Sequence, residues 1–395
     1  MKIHRTLPPA STVVNYKKLY HGLLGLLSGS KYQGKLEEGI REYLGVKHVF
    51  FVSSGKAALY LILRALQELS QGKNKVIIPA YTCFSVPSAI IKAGLKVTPC
   101  DINHKTFDFD YGLLENTIDK DTLCVIPTHL FGIPADMDRV TKICRDKGIF
   151  VVEDAAQAMG GRYIGKLLGT IGDVGFFSMG RGKNITCNSG GIIVTNSDMI
   201  AGVIGEEYSG LEDPSLLNDL KALAELTLMA LLISPSLYWL PSCMPFLGLG
   251  ETVFHSDFPV KRLSGIKAGV LRQWRKDLDV ANMVRIKNGN IFIEKLKLER
   301  MKELPYIRLP ILVGNRVSRD NLYRTAKEMG LGISMMYPAS VNEIAEIKAQ
   351  FFGKSFPIAV SVAERILTLP THDFVSGKDI DKICELLSRE PAAEV

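Results

Sequence analysis

Three residues spaced along one stretch, Asp154, Ser178 and Lys183, carry the chemistry this chain can offer. The apolar run Phe150-Val151-Val152 ends in Glu153-Asp154, which places a carboxylate at the carboxyl end of a buried strand, where open α/β sheets hold their ligands. Ser178 closes a second such run, Val174 to Phe177, and Lys183 follows five residues later in a glycine-rich loop before a third run, Ile192 to Val194. An acid and an amine so placed are the minimum set for a pyridoxal phosphate (PLP) site. The acid keeps a pyridine nitrogen protonated by favouring its charged form, and the amine holds the cofactor aldehyde as an imine.

The elements that must position these residues alternate along the chain. His48 to Val52 reads as a strand, Ser53-Ser54-Gly55 as a turn and Lys56 to Leu69 as a helix whose apolar face holds Leu59, Ile62, Leu63 and Leu66. A glycine turn feeding a helix N-terminus suits a phosphate group, because free N–H groups and the helix dipole both favour an anion. A nucleotide P-loop is excluded, since the position five residues before Gly55 is Phe50. Strands at 75–79, 96–99 and 123–127 alternate with helices around 111–118 and 137–147, the pattern of a mostly parallel sheet covered on both faces. Residues 1–46 read as an irregular lead-in followed by a helix from Gly34 to Leu44, residues 265–298 as one long helical stretch, and the chain beyond about Leu304 as a small α+β unit.

The composite Glu153-Asp154-Ala155-Ala156-Gln157-Ala158, Gly172-Asp173-Val174-Gly175-Phe176-Phe177-Ser178 and Lys183 resembles the DegT/StrS family of PLP-dependent sugar aminotransferases. The resemblance implies that Asp154 pairs with the pyridine nitrogen, Gln157 contacts the ring near its phenolic oxygen, Ser178 binds the phosphate, and Lys183 forms the Schiff base and carries the proton. It implies an aspartate-aminotransferase fold. A large α/β domain with a mainly parallel sheet would occupy residues 1–255, and a linking helix with a smaller α+β domain residues 256–395. The implied assembly is a homodimer that completes each site.

Several positions depart from the family pattern. Lys56 stands where Ser-Gly-Thr is usual, and is read either as charge for the phosphate or as a solvated lysine of the first helical turn. Cys83 falls where an aromatic ring stacks on PLP, so the ring would be covered by its polarisable sulfur or by Phe84 or Tyr81. Val260 replaces an asparagine that reaches the partner's phosphate, and Lys261 or Lys56 would compensate. His129 is read as lining the site or as a structural histidine, and Tyr337 and His372 as facing the substrate or as forming turns.

The chain has 395 residues, 47% hydrophobic and 23% charged, with a formal charge of +7 from dispersed basic residues, which gives nucleic-acid binding little support. Its seven cysteines form no C-x-x-C pair and read as reduced cytoplasmic thiols, no secretory signal precedes them, and no metal-site spacing stands out. Residues 222–250 form an apolar tract broken by prolines and too short between breaks to span a bilayer. It is expected either at a buried or subunit-interface position or as a helical hairpin in a membrane interface, which would place the protein at the inner face. The expected reaction moves an amino group from L-glutamate to a keto sugar carried on a nucleotide diphosphate, for polysaccharide or amino-sugar synthesis. The alternatives are a sugar dehydratase of the same family, which has histidine in place of the lysine, and a non-catalytic PLP-binding regulator of a glycan assembly complex.

Overall fold

The computed structural model describes residues 5–244 and 252–389. Seven strands build one sheet: β1 (His48–Val52), β2 (Lys75–Pro79), β3 (Lys96–Cys100), β4 (Thr122–Val125), β5 (Phe150–Asp154) and, beyond a short ribbon of β6 (Arg162–Tyr163) and β7 (Lys166–Leu167), β8 (Val174–Ser178) and β9 (Gly191–Thr195). Their order across the sheet is β1-β9-β8-β5-β4-β2-β3. From β8 to β3 every pairing is parallel, while β9 runs antiparallel to both β1 and β8. The sheet is therefore mainly parallel and buried on both faces, which is why its strands read as unbroken apolar runs.

Helix α1 (Tyr16–Leu44) leads into β1, and α2 (Gly55–Leu69), α3 (Ser85–Lys92), α4 (Tyr111–Thr117) and α5 (Met137–Asp146) connect the parallel strands. After β9 come α6 (Asp198–Ser209), α7 (Leu216–Leu232) and α8 (Trp239–Ser242), then α9 (Gly265–Val270) and α10 (Trp274–Leu296). A two-stranded antiparallel sheet of β10 (Arg308–Leu312) and β11 (Ile366–Pro370) follows, with α11 (Arg316–Glu328), α12 (Pro357–Arg365) and α13 (Gly377–Leu387).

Two boundaries differ from the sequence reading. Helix α1 starts eighteen residues before Gly34, at the Asn15 cap, whose side chain accepts the Lys18 N–H at 3.1 Å. Glycines on both helices are contact points: a Cβ on Gly25 would lie 2.2 Å from the Gly265 carbonyl oxygen, and one on Gly269 2.2 Å from that of His21. Helices α1 and α9 thus cross backbone to backbone, a packing that hydrophobic periodicity does not register. The expected single helix over 265–298 is two, because the chain turns between Val270 and Trp274.

Residues 5–15 form a strap across the molecule. Arg5 pairs with Asp379 at 2.5 Å, the Thr6 and Leu7 amides donate to Pro235 and Gly330, the Pro8 carbonyl meets His372 at 2.8 Å, and Thr12 reaches the Lys183 carbonyl.

The apolar tract divides its two expected fates. Ala222 and Leu226 of α7 are buried, while Leu217, Leu220, Leu228 and Leu231 form an exposed stripe on the other side of the helix. Residues 245–251 of the tract lie outside the described residues. Among the described residues no helix is long and apolar enough to cross a membrane.

Candidate active site

The parallel strands deliver their side chains to one edge. Asp154 ends β5 and is almost wholly buried, fixed by a backbone hydrogen bond from its amide to the Pro127 carbonyl at 2.9 Å. One carboxylate oxygen accepts the Ala156 N–H at 3.0 Å, leaving the other without a hydrogen bond among the described residues. Ser178 ends β8, the next strand in the sheet. The loop from Met179 to Gly190 then carries Lys183 back over the same edge, and Cys83 arrives from the turn after β2.

Burial opposes the charged states of Lys183 and Asp154, and each charge partly restores the other. Burial pushes Lys183 below the ordinary lysine range, with Cys83 and Asp154 acting the other way, so its amine gives up a proton more readily than a surface lysine does. Burial likewise raises Asp154, and Lys183 is among the groups that oppose the rise. Tyr337 is sealed behind them and held as the neutral phenol by burial and by nearby Cys83. Its hydroxyl accepts from Gln157 Nε2 at 2.9 Å, while Gln157 Oε1 accepts the Phe131 N–H at 3.2 Å. Tyr81 and Phe84 pack against the Tyr337 ring at centroid distances of 5.9 and 6.4 Å, whereas Cys83 stays partly exposed and close enough to act on both Lys56 and Lys183.

Beside this pair lies an anion cradle. Ser54 caps α2 by accepting the Ala57 N–H at 3.1 Å, and Gly55 lies so near Ser178 that a Cβ there would meet the serine Cβ at 3.1 Å. A cavity of about 380 Å³ adjoins it, lined by Ser53, Ser54, Lys56, Lys261, Arg262 and Lys267 among others. Lys56 is half-buried, its amine 4.8 Å from the centre of the Phe258 ring, and burial lowers its pKa. Val260 packs against the main apolar cluster, and the Lys261 ammonium is taken up by Glu212 at 2.9 Å.

A comparison with protein families matches residues 24–206 and 261–388 to the DegT/DnrJ/EryC1/StrS aminotransferase family. The chain belongs to that family. Among curated relatives it is 34% identical over 173 residues to a GDP-perosamine synthase of Vibrio cholerae, covering 44% of this chain and 47% of that protein. It is 35% identical over 166 residues to a GDP-4-keto-6-deoxy-D-mannose 3-dehydratase of Yersinia pseudotuberculosis, covering 41% and 42%. The chain thus spans less than half the length of these curated relatives in the matched segment. Among solved structures, PseC of Helicobacter pylori, an aminotransferase of pseudaminic acid biosynthesis, superposes with a TM-score of 0.79 at 17% identity over 97% of this chain and 98% of that one, which shows a shared fold.

The family cofactor is PLP, and the residues present fit it. Asp154 offers a carboxylate oxygen with no hydrogen bond among the described residues, Lys183 an amine biased toward neutrality, and Gly55 with Ser178 a gap that any side chain on Gly55 would fill.

His129 and His372, each open to a site role or a structural one, are both engaged within the protein. His129 is sealed: Nε2 meets Glu153 Oε1 at 2.8 Å and Nδ1 accepts the Ala135 N–H at 3.1 Å, so both ring nitrogens are used within the protein. Glu153 also accepts the amides of Gly169, Ile171 and Gly172; burial pushes its carboxyl up, but His129 first and the Gly172 and Gly169 amides after it outweigh burial and hold it below its usual range. The pair braces the end of β5 from behind. His372 is spent in the same way, on the Pro8 carbonyl and the Phe374 N–H, and burial drops its pKa to about 4. Neither imidazole has a nitrogen left for a substrate.

Three residues escaped the sequence reading. Arg285 on α10 is buried and donates to the carbonyls of Lys183 at 3.0 Å and Ser11 at 3.3 Å, tying the lysine loop to the strap. Arg308 of the small sheet is near enough to Lys183 to disfavour its charge, and Tyr238 of the apolar tract is near enough to feel Arg308. The signal for Arg285 was its place on the inner face of α10, seven residues from Leu278 and Phe292.

Proposed function

We propose that this chain is a PLP-dependent aminotransferase that moves an amino group from L-glutamate to a keto sugar carried on a nucleotide diphosphate. The buried Asp154–Lys183 pair at the carboxyl ends of β5 and β8 carries this reading. Bound PLP supplies the electron sink that stabilises negative charge on the carbon being deprotonated. The chain's own residues do the rest. Asp154 holds its charge toward the ring nitrogen. Lys183 Nζ, made a better base by burial, takes and returns the proton at the reacting carbon. Ser178, the free amides at the start of α2 and the Lys56 ammonium hold the phosphate. Tyr337 fixes Gln157 for contact with the ring edge, and Cys83 covers the ring face. The seat of Lys56 beside Phe258 and the prior engagement of Lys261 make Lys56 the lysine that compensates for Val260.

A sugar dehydratase is the second reading, favoured by the Yersinia pseudotuberculosis relative. Lys183 opposes it, since the dehydratases resembling this family have histidine there. The exposed leucine stripe of α7 and the apolar row Tyr16, Tyr20, Leu23 and Leu27 of α1 support assembly as a homodimer. Flotation with liposomes would favour the membrane alternative for the tract.

The deciding experiment is the visible spectrum of the PLP-loaded protein before and after L-glutamate. An absorption band present in the wild type, absent in Lys183→Ala and shifted by glutamate is the expected result. Full turnover in Lys183→Ala would overturn the assignment.

A further inference from the structure

Thr128 carries a buried hydroxyl that no described residue engages. It lies just past β4 and pairs with Asp154 as an isolated parallel bridge, in which the Asp154 N–H donates to the Pro127 carbonyl at 2.9 Å and the His129 N–H to the Asp154 carbonyl at 3.0 Å. Bridge partners in a parallel pair turn their side chains to the same face of the sheet. The hydroxyl and the carboxylate therefore stand side by side at the ligand edge. Thr128 is 5% exposed and Asp154 4%. Thr128 Oγ1 is sealed from solvent with no hydrogen-bond partner among the described residues, and the Ala156 N–H leaves one Asp154 oxygen free.

Burying a hydroxyl unpaired is destabilising, and valine would fill the same space without that cost. The residues just before it, Leu123, Val125 and Ile126, are buried and apolar, so the strand itself has no use for a hydroxyl. Asp154 does have a use for one. It must stay ionised beside a pyridinium although burial opposes its charge, and a hydrogen bond given to the charged form favours that form. An ionised carboxylate has about four acceptor positions, so one oxygen can take both a hydroxyl and a ring N–H. Of the other groups that act on Asp154, His129 is spent on Glu153 and Ala135, and Lys183 is needed at the cofactor aldehyde.

We propose that Thr128 is a positioning residue for the cofactor ring: with PLP bound, its hydroxyl donates to the free Asp154 oxygen and keeps that carboxylate charged and aimed at the ring nitrogen. This rests on the reading of the site as one that binds PLP.

The test compares Thr128→Val, which keeps the shape and removes the hydroxyl, with Thr128→Ser, which keeps the hydroxyl. Cofactor-free Thr128→Val is expected to unfold at or above the wild-type midpoint, since no hydrogen bond is lost. Its affinity for PLP falls about tenfold, and PLP raises its midpoint less than that of the wild type. The nitrogen NMR signal of isotope-labelled PLP bound to it lies nearer the unprotonated value at the same pH, while Thr128→Ser stays close to the wild type in all three measurements. Should Thr128→Val fail to fold, Thr128→Ala against Thr128→Ser decides by the same readouts. Unchanged PLP affinity and ring-nitrogen signal in Thr128→Val overturn the proposal. So does a serine variant as impaired as the valine one, which would make the methyl group the important part, or a lowered cofactor-free midpoint in Thr128→Val, which would give the hydroxyl a structural bond. A wild type that binds PLP with this dependence on Thr128 yet never responds to L-glutamate would sink the aminotransferase reading and leave the positioning role standing.

Discussion

His372 makes stability depend on pH in a window that its surroundings define. Its folded pKa is about 4 against an ordinary 6.5, because burial disfavours the imidazolium. Above pH 6.5 neither folded nor unfolded chain protonates it. As pH falls below 6.5 the unfolded chain takes up a proton that the folded one refuses, so stability is lost progressively toward pH 4. From the two pKa values the loss between pH 7 and pH 5 is about 2 kcal/mol, rising to about 3 kcal/mol at pH 4. The perturbation is His372→Gln, which keeps a donor for the Pro8 carbonyl and removes the titrating ring. Urea unfolding of both proteins at pH 7 and pH 5 is the assay, and the difference between their pH dependences isolates this one group from the carboxylates they share. The wild type is expected to lose about 2 kcal/mol more than the variant across that interval. Parallel pH dependences would refute the buried neutral imidazole, and with it the account of how residues 5–15 are held.

Asp154→Asn is expected to retain PLP, visible by its absorbance, while turnover falls roughly 100-fold through loss of a charge-assisted bond; undiminished turnover would remove Asp154 from that role. Arg285→Met should weaken PLP binding about tenfold in a cofactor titration, because the Lys183 carbonyl loses one of its two side-chain donors. Gly25→Ala forces a methyl against the Gly265 carbonyl and should cost about 1–3 kcal/mol, read as a lowered thermal midpoint.

The sheet and the Asp154–Lys183 pair were legible because both are local signals. A buried parallel strand needs an unbroken apolar run, and the residue that ends it lands at the ligand edge. The first half of α1 was not legible, since its packing is made by the absence of side chains at Gly22 and Gly25. Arg285 and Arg308 were missed for the opposite reason: in sequence a basic residue looks solvated, and only the fold shows that Arg285 is buried and Arg308 half-buried. His129 and His372 were legible as histidines of the right neighbourhood, yet their partners, Glu153 and the Pro8 carbonyl, lie 24 and 364 residues away and decide what they do.

The strap has a consequence for how the chain is made. Thr12 braces the Lys183 carbonyl directly and Ser11 does so through Arg285, while the strap that carries them is anchored by His372 and Asp379, which follow it in the chain by more than 360 residues. The strands and helices of the large sheet can pair as they leave the ribosome, but the loop bearing Lys183 gains its brace only once Asp379 has emerged. Contacts separated by more than 370 residues form late and slowly. A nascent chain would therefore acquire its sheet well before the loop bearing Lys183 is fixed, so capture of the cofactor would wait for the last of these contacts to form.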